Sequence, residues 1–422
     1  MKNLAKGIFG ILAAMSLSFG AAAFAAAEKS GNWTISGKVV TAPGGALLLS
    51  KGASAILKPE LNAGAFKDFE MSFKVRTLNG STGFAAFHSD AELSKGYKIA
   101  IDNSRDSRAW WRKTGSLLGV RNIVKRMAND GEWAEVKAKV AGNLVEIFVN
   151  GKQLVEYAEP EEPYRTPENS DMRLGEGAIG VKCASGEGIE IKDFKVRRLK
   201  PSAVRAEAEP ESADGIMGLH QSDFPAVDYH VHLKGDLDAR KAQKQSRKYG
   251  INYIVAVNCG KDFPVNKDSL AIEFIERNKS EPYILAMQAE GREWMNLITK
   301  PAREKFAYVF TDGMTFEDRD GSRVHLWVPE EVKIKDRQAY MDMIVEKICG
   351  VLGEPADIYA NATYLPDALS ADYAKLWTKE RRQKVLDALA KGGMALEISA
   401  NSGRRIHKGG KGARNKIHIR QQ

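Results

Sequence analysis

From Trp33 to about Leu199 the chain alternates apolar and polar residues in short runs broken by glycine and asparagine, with hardly any helical periodicity. A period of two puts successive side chains on opposite faces of a strand, so this stretch predicts an all-β sandwich. Its clearest piece is Val136-Lys137-Ala138-Lys139-Val140, a turn at Gly142-Asn143, Leu144 to Val149, a second turn at Asn150-Gly151, and Leu154 to Tyr157. Asn-Gly favours a two-residue hairpin turn because both positions tolerate positive φ, so three antiparallel strands are predicted here.

The pattern changes after Asp223. Pro201 to Asp223 is rich in Ala, Glu, Ser and Pro without apolar periodicity and reads as a mobile linker. Beyond it, strand-like and helix-like runs alternate. Tyr253 to Val257 and Tyr283 to Ala286 predict buried strands, with a helix through Leu270 to Ile275 between them. A strand follows near Val324 to Trp327, then a helix carrying Met341, Ile344, Val345, Ile348 and Leu352. The strand Asp357 to Ala360, a helix through Val385, Leu386 and Leu389, and the strand Met394 to Ile398 complete the series. Repeated βα units predict a parallel sheet or barrel, whose site residues lie at the C-terminal ends of the strands.

The first residues pair a basic start, Lys2 and Lys6, with a short apolar stretch from Gly7 to about Gly20 and the small residues Ala21 to Ala27. This predicts a secretory signal peptide over residues 1–27, and hence a periplasmic or secreted protein with no stable membrane anchor after cleavage. At 422 residues the chain exceeds a single growing core. The domains expected are 28–200, a linker 201–223, 224–402 and a basic disordered tail 403–422. The net charge of +9 is mostly that tail: seven Lys and Arg in the last twenty residues leave about +2 for the body, so no nucleic-acid function is read. Three cysteines, Cys183, Cys259 and Cys349, do not make a disulfide framework; only Cys259 and Cys349 share a domain.

Within the first domain, Phe66 to Glu70, Gly96 to Asp102, Thr114 to Leu117, Gly131-Glu132-Trp133, Val149-Asn150-Gly151, Gly177 to Val181 and Ile191 to Phe194 resemble, in order and spacing, the 3-keto-disaccharide hydrolase domain family. The resemblance implies a concanavalin-like jelly roll that hydrolyses or otherwise cleaves 3-keto-glycosides, so a carbohydrate substrate is expected. It also marks departures. Lys98 and Ala100 stand where the family usually has a glutamate and a glutamine, and Cys183 where a histidine is common. Elimination or hydration beside a ketone needs a base and a group to hold the enolate. Asp102 and His88 are the catalytic candidates if they converge; otherwise Asp102 simply opens a turn with Asn103. Trp110 and Trp111, on a predicted strand, would face opposite ways, one into the core and one as a sugar platform. Arg112 and Arg121 join them as substrate-binding candidates.

In the second domain, Asp228-Tyr229-His230-Val231-His232 puts two imidazoles on one side of a strand, which is how a metal site can begin. Together with Gly291-Arg292-Glu293-Trp294 and the later His325, this opening resembles the polymerase and histidinol phosphatase (PHP) family, a general amidohydrolase-like barrel being the near alternative. The resemblance implies metal-dependent hydrolysis, with His230, His232, Glu293 and His325 as ligands of a divalent metal such as Zn or Mn. Glu290 competes with Glu293, Asn361 stands where a histidine is usual, and Asn258 occupies another common ligand position. The family ends on Asp-x-His, which Asn401 to Gln422 does not contain. An α/β barrel-like domain that is incomplete is therefore expected, through a frameshift or a naturally shortened form.

Overall fold

The computed structural model describes residues 32–58, 65–200, 206–207 and 214–398. The expected signal peptide and basic tail lie outside the described residues. Two compact units divide the chain, one of residues 1–228 with 238–253 and one of 229–237 with 254–422.

In the first unit the alternating pattern folds as a two-sheet antiparallel sandwich consistent with a jelly roll. One sheet has five strands in the order β1 (Trp33–Ser36), β4 (Ser54–Leu57), β11 (Ala178–Ser185), β6 (Thr82–Ser89), β7 (Tyr97–Asp102). The other has seven, in the order β10 (Lys152–Ala158), β9 (Leu144–Val149), β8 (Ala134–Ala141), β5 (Phe69–Leu78), β12 (Gly188–Arg198), β3 (Leu47–Leu49), β2 (Val39–Thr41). Strands β8 to β10 are the predicted meander, and Asn150 and Gly151 both take positive φ, 49° and 76°, as a primed hairpin turn requires.

Periodicity decides which side chains meet between the sheets. On β8, Ala134, Val136, Ala138 and Val140 are fully buried while Glu135, Lys137 and Lys139 point outward. On β7, Tyr97, Ile99 and Ile101 enter the same core. Each fully buried Val or Ile contributes about 1.5–3 kcal/mol relative to exposure, so the register of each strand is strongly set. A one-residue slip would exchange every pair of faces.

Residues 201–223 were expected to be linker, yet Asp214–Gln221 is an α-helix. Met217 joins the sandwich core, and His220 donates from Nε2 to Gly250 O at 2.8 Å while its Nδ1 accepts from Asn122 N–H. The helix Ala239–Tyr249 also groups with this unit rather than with the domain expected from residue 224. Its Arg247 reaches Glu156 at 3.7 Å, and its carbonyl accepts from Arg121 Nε.

The second unit carries a six-stranded sheet in the order β13 (Val227–Val231), β14 (Asn252–Cys259), β15 (Ile284–Ala289), β16 (Val309–Thr311), β19 (Ile358–Tyr359), β20 (Ala395–Leu396). From β14 to β20 the neighbours are parallel. Helices Asp268–Asn278, Arg337–Val351 and Lys379–Gly392 follow the predicted runs. The predicted strand near His325 is not part of this sheet. It forms β18 (Arg323–His325), paired antiparallel with β17 (Thr315–Glu317) in a separate hairpin. The sheet position in question belongs to β16, a short buried strand. No helix among the described residues is long and apolar enough to cross a membrane.

Candidate functional sites

The outer face of the five-stranded sheet holds the first site. Alternation that buries Tyr97, Ile99 and Ile101 turns Lys98, Ala100 and Asp102 the other way, opposite Ala86, Phe84 and Thr82 of β6. Lys182 of β11 pairs with Phe84 on this face. Cys183 does not: it pairs with Gly83 and is fully buried in the core, so the position expected to replace an active histidine points away from Lys98.

A cleft of about 180 Å³ opens at the end of β7, lined by Lys95, Lys98, Arg112, Glu168, Asn169 and Asp171 among others. This is below the roughly 300 Å³ at which drug-sized ligands are usually held, and it suits a single sugar ring. Its floor is set by Gly96, whose φ is +69° and where a Cβ would lie 2.4 Å from His88 O. Arg165, outside the lining, donates to Tyr97 Oη at 2.7 Å, Tyr157 Oη at 3.0 Å and Glu159 Oε2 at 3.3 Å. Glu159 also accepts from Leu174 N–H at 2.8 Å, and Arg165 Nε donates to Met172 O at 2.7 Å, so the segment carrying Glu168, Asn169 and Asp171 is tied to β7.

Lys98 is partly buried. Its Nζ donates to Ser94 O at 2.9 Å and lies 5.3 Å from the Phe84 ring centre. Burial, with Lys182 adding like charge, holds its pKa below the usual lysine value despite the opposing pull of Asp90.

The two catalytic candidates do not converge. Thr82 pairs with Asp102 and Phe87 with Tyr97, which puts His88 and Asp102 at opposite ends of the hairpin, about 20 Å apart at roughly 3.3 Å per residue. Each is also occupied. His88 is buried, donates from Nε2 to Lys67 O at 2.8 Å, and accepts from Gly175 N–H at 3.2 Å through Nδ1. Since Lys67 O can only accept, Nε2 carries the proton, and burial holds the ring neutral by lowering its pKa. Asp102 accepts from Ser104 N–H at 2.9 Å and Ser104 Oγ at 2.6 Å, and pairs with the buried Lys113 ammonium at 3.4 Å.

The binding candidates divide. Trp110 and Trp111 sit in a turn rather than on a strand, edge to face with ring centres 5.7 Å apart, and both are partly exposed. Neither is in the core. Trp111 Nε1 donates to Asp223 at 2.9 Å, and Arg112 pairs with the same carboxylate at 2.7 Å. Arg121 is not at the cleft surface: it is buried, donates to Val120 O at 2.7 Å, and its guanidinium lies 5.3 Å from the Tyr157 ring centre. Burial brings its pKa down to about 10.

The second unit gathers polar groups at the C-terminal ends of its strands, where parallel sheets place their sites. His230 Nδ1 meets Glu397 Oε1 at 2.8 Å, and its Nε2 lies 3.1 Å from His232 Nε2. Asn361 bridges the cluster, donating its N–H to Glu397 at 3.1 Å and its Nδ2–H to Asp312 at 2.9 Å. Asp312 also accepts from Gln288 at 3.2 Å, and Glu290 accepts from Asn258 at 2.7 Å. Burial raises the pKa of Glu290, with Asp312 adding repulsion, and burial raises that of Asp312 too. His232 is pushed down to about 4 by burial and by the His230 charge. For His230, burial works downward, but the Glu397 hydrogen bond and charge win and raise its pKa.

The four expected ligands are not brought together. Glu293 pairs with Arg323, and His325 Nδ1 is 2.7 Å from Glu331. Both therefore belong to the β17–β18 hairpin region, while His230 and His232 belong to the strand ends. Among the described residues, no three His, Cys, Asp or Glu side chains are placed to hold a metal. Asp312 and Gln288 had been overlooked. The usable signal was the apolar run Phe306 to Phe310, which leads through the strand Val309–Thr311 to Asp312. The three cysteines are free thiols.

Residues 28–197 match one family model. It is the 3-keto-alpha-glucoside-1,2-lyase-like domain, in agreement with the resemblance of the sequence motifs over the same stretch. The match supports a carbohydrate-related function. Among solved structures, a putative glycosyl hydrolase from Parabacteroides distasonis is similar at 19% identity, over 39% of this chain and 93% of that one, with a TM-score of 0.33. A second putative glycosyl hydrolase from that organism gives 14% identity over 37% and 82%, TM-score 0.32. The carbohydrate-binding module CBM66 from Bacillus subtilis gives 14% over 39% and 94%, TM-score 0.28. No curated protein matches the chain.

Proposed function

We propose that this is an exported carbohydrate-active protein whose first unit takes a 3-keto-glycoside in the cleft beside Lys98. The observation that carries the reading is the family match over residues 28–197; the polar cleft with the Trp110–Trp111 turn nearby in sequence to Arg112 fits a sugar. Elimination next to a ketone requires a base for the acidic C–H and a cation or donor for the enolate oxygen. With Asp102 and His88 committed to structure, Glu168 and Asp171 are the carboxylates on the cleft, and Lys95, Lys98 and Arg112 are its cations. The test is incubation of the full chain with 3-keto-glycosides, with and without divalent metals. Release of the aglycone, lost in a Glu168→Gln, Asp171→Asn double variant, supports the reading; no release and no saccharide binding under any metal condition rejects it. Export is tested by sequencing the N-terminus of the mature protein, expected to begin within a few residues of Glu28.

A second reading makes the first unit a non-catalytic saccharide-binding module and gives hydrolysis to a PHP-like, metal-dependent second unit. It rests on the His230 and His232 imidazoles, whose Nε2 atoms lie 3.1 Å apart at the strand ends. Metal analysis of the purified full chain separates the two. A stoichiometry near zero, unchanged by His230→Ala, rejects the second unit as a metalloenzyme.

A further inference from the structure

Lys98 places an amine on the wall of the cleft proposed to receive a ketone. We infer that Lys98 captures the keto carbon of its ligand as a Schiff base, which makes the cleft selective for keto-sugars over their parent glycosides. The inference rests on the reading of the cleft as a 3-keto-glycoside site.

Three features of the site support it. Lys98 lines the cleft itself, on a strand whose register is fixed by Tyr97 and Ile99 in the core, so its amine is held against the space the ligand would fill. Its one hydrogen bond among the described residues is to the Ser94 carbonyl, and it forms no ion pair with a carboxylate there. A salt bridge would lock the amine in its protonated, unreactive form. The aromatic face of Phe84 and the Lys182 charge on the same sheet face complete a partly desolvated setting, the kind that favours the neutral amine of Schiff-base lysines. Lys95, by contrast, is exposed at the rim.

The chemistry balances without any further reactant. Neutral Nζ adds to the carbonyl carbon as the C–O π bond opens, and the resulting carbinolamine loses its oxygen with both nitrogen hydrogens as water. The imine takes one proton from solvent to become an iminium. No oxidant or reductant is involved. The iminium withdraws electrons from the neighbouring C–H more strongly than the neutral ketone does, the activation that elimination needs, and a Glu or Asp of the cleft is the base at hand.

Reductive trapping tests this directly. The full chain is incubated with a 3-keto-glucoside and cyanoborohydride, then digested and mapped by mass spectrometry, beside Lys98→Arg and Lys95→Arg variants and the parent glucoside. A reduced adduct at Lys98 is expected to form about tenfold or more faster than at any other lysine, because a ligand held in the cleft presents its ketone at raised effective concentration. It should vanish in Lys98→Arg, persist in Lys95→Arg, and be absent with the parent glucoside. Adducts spread evenly over surface lysines overturn the inference. Equilibrium binding or turnover of the keto-glucoside with no Lys98 adduct overturns it while leaving the function intact; neither binding nor turnover overturns both. Circular dichroism of Lys98→Arg checks that its fold is kept, so loss of the adduct reports on the amine.

Discussion

Replacing Asp102 with asparagine separates a structural carboxylate from a catalytic one. In the fold its oxygens are bound to Ser104 and to Lys113, whose side chain is 0% exposed against 7% for Asp102. Asp102→Asn keeps size and one acceptor but leaves a buried ammonium with the Ser104 carbonyl, 2.7 Å away, as its remaining oxygen partner. Breaking a buried pair from one side costs about 3–5 kcal/mol. The 3.4 Å separation and the surviving carbonyl bond place the cost near the lower end, about 3 kcal/mol. For a unit of this size each kcal/mol moves the midpoint by about 2–4 °C, so a fall of roughly 6–12 °C is expected. Thermal and urea unfolding of the full chain, followed by tryptophan fluorescence, reads this out. The double change Asp102→Asn, Lys113→Met should recover most of the loss, because apolar replacement of both partners removes the unpaired charge. A loss below about 1 kcal/mol, with no recovery in the double variant, would refute the assignment. So would full stability accompanied by abolished saccharide turnover, which would return Asp102 to the chemistry.

Other consequences follow from the same structure. Arg165→Ala cuts the ties from Tyr97, Tyr157 and Glu159 to the cleft wall, so it should weaken saccharide affinity and lower the unfolding midpoint, by about 3–5 kcal/mol for a broken buried pair; Arg165→Lys should restore only part of either. His220 is buried with its pKa lowered to about 3 by burial and by Arg121. A base with a depressed folded pKa takes up its proton only on unfolding, so its contribution is intact above about pH 6.5 and is lost as pH falls from there toward 3, at about 1.4 kcal/mol per pH unit. His220→Gln should flatten that slope in urea titrations between pH 4 and 6. Gly96→Ala forces a Cβ to within 2.4 Å of His88 O at a φ of +69°, and should abolish saccharide binding or soluble expression, read by calorimetry on whatever folds.

What the sequence revealed and what it hid divide on physical lines. The meander β8 to β10 was legible because strict alternation and an Asn-Gly turn each specify the same hairpin, and the helices Arg337–Val351 and Lys379–Gly392 because their apolar spacing extends over several turns. The separation of Asp102 from His88 was not legible. Both sit on the same hairpin, but antiparallel pairing sets them at its two ends, and only the register shows this. The burial of Arg121 was not legible either: nothing in its local pattern shows that the side chain is 3% exposed. In the second unit, His230 and His232 were found from their spacing, but the partner Glu397 comes from a strand end 167 residues later. His325 reads as a sheet residue because Val324 to Trp327 looks like a strand, but that strand pairs only in the β17–β18 hairpin, and the sheet position is taken by β16.

The central claim is that the Lys98 cleft recognises a keto-sugar. Titration calorimetry of the full chain with a 3-keto-glucoside, run beside the parent glucoside and repeated on the Lys98→Glu variant, addresses it most directly. The account predicts one site per chain for the keto-glucoside, markedly weaker binding of the parent, and loss of that preference in the variant. Equal affinity for both sugars, or a keto-glucoside affinity unchanged by Lys98→Glu, would contradict it.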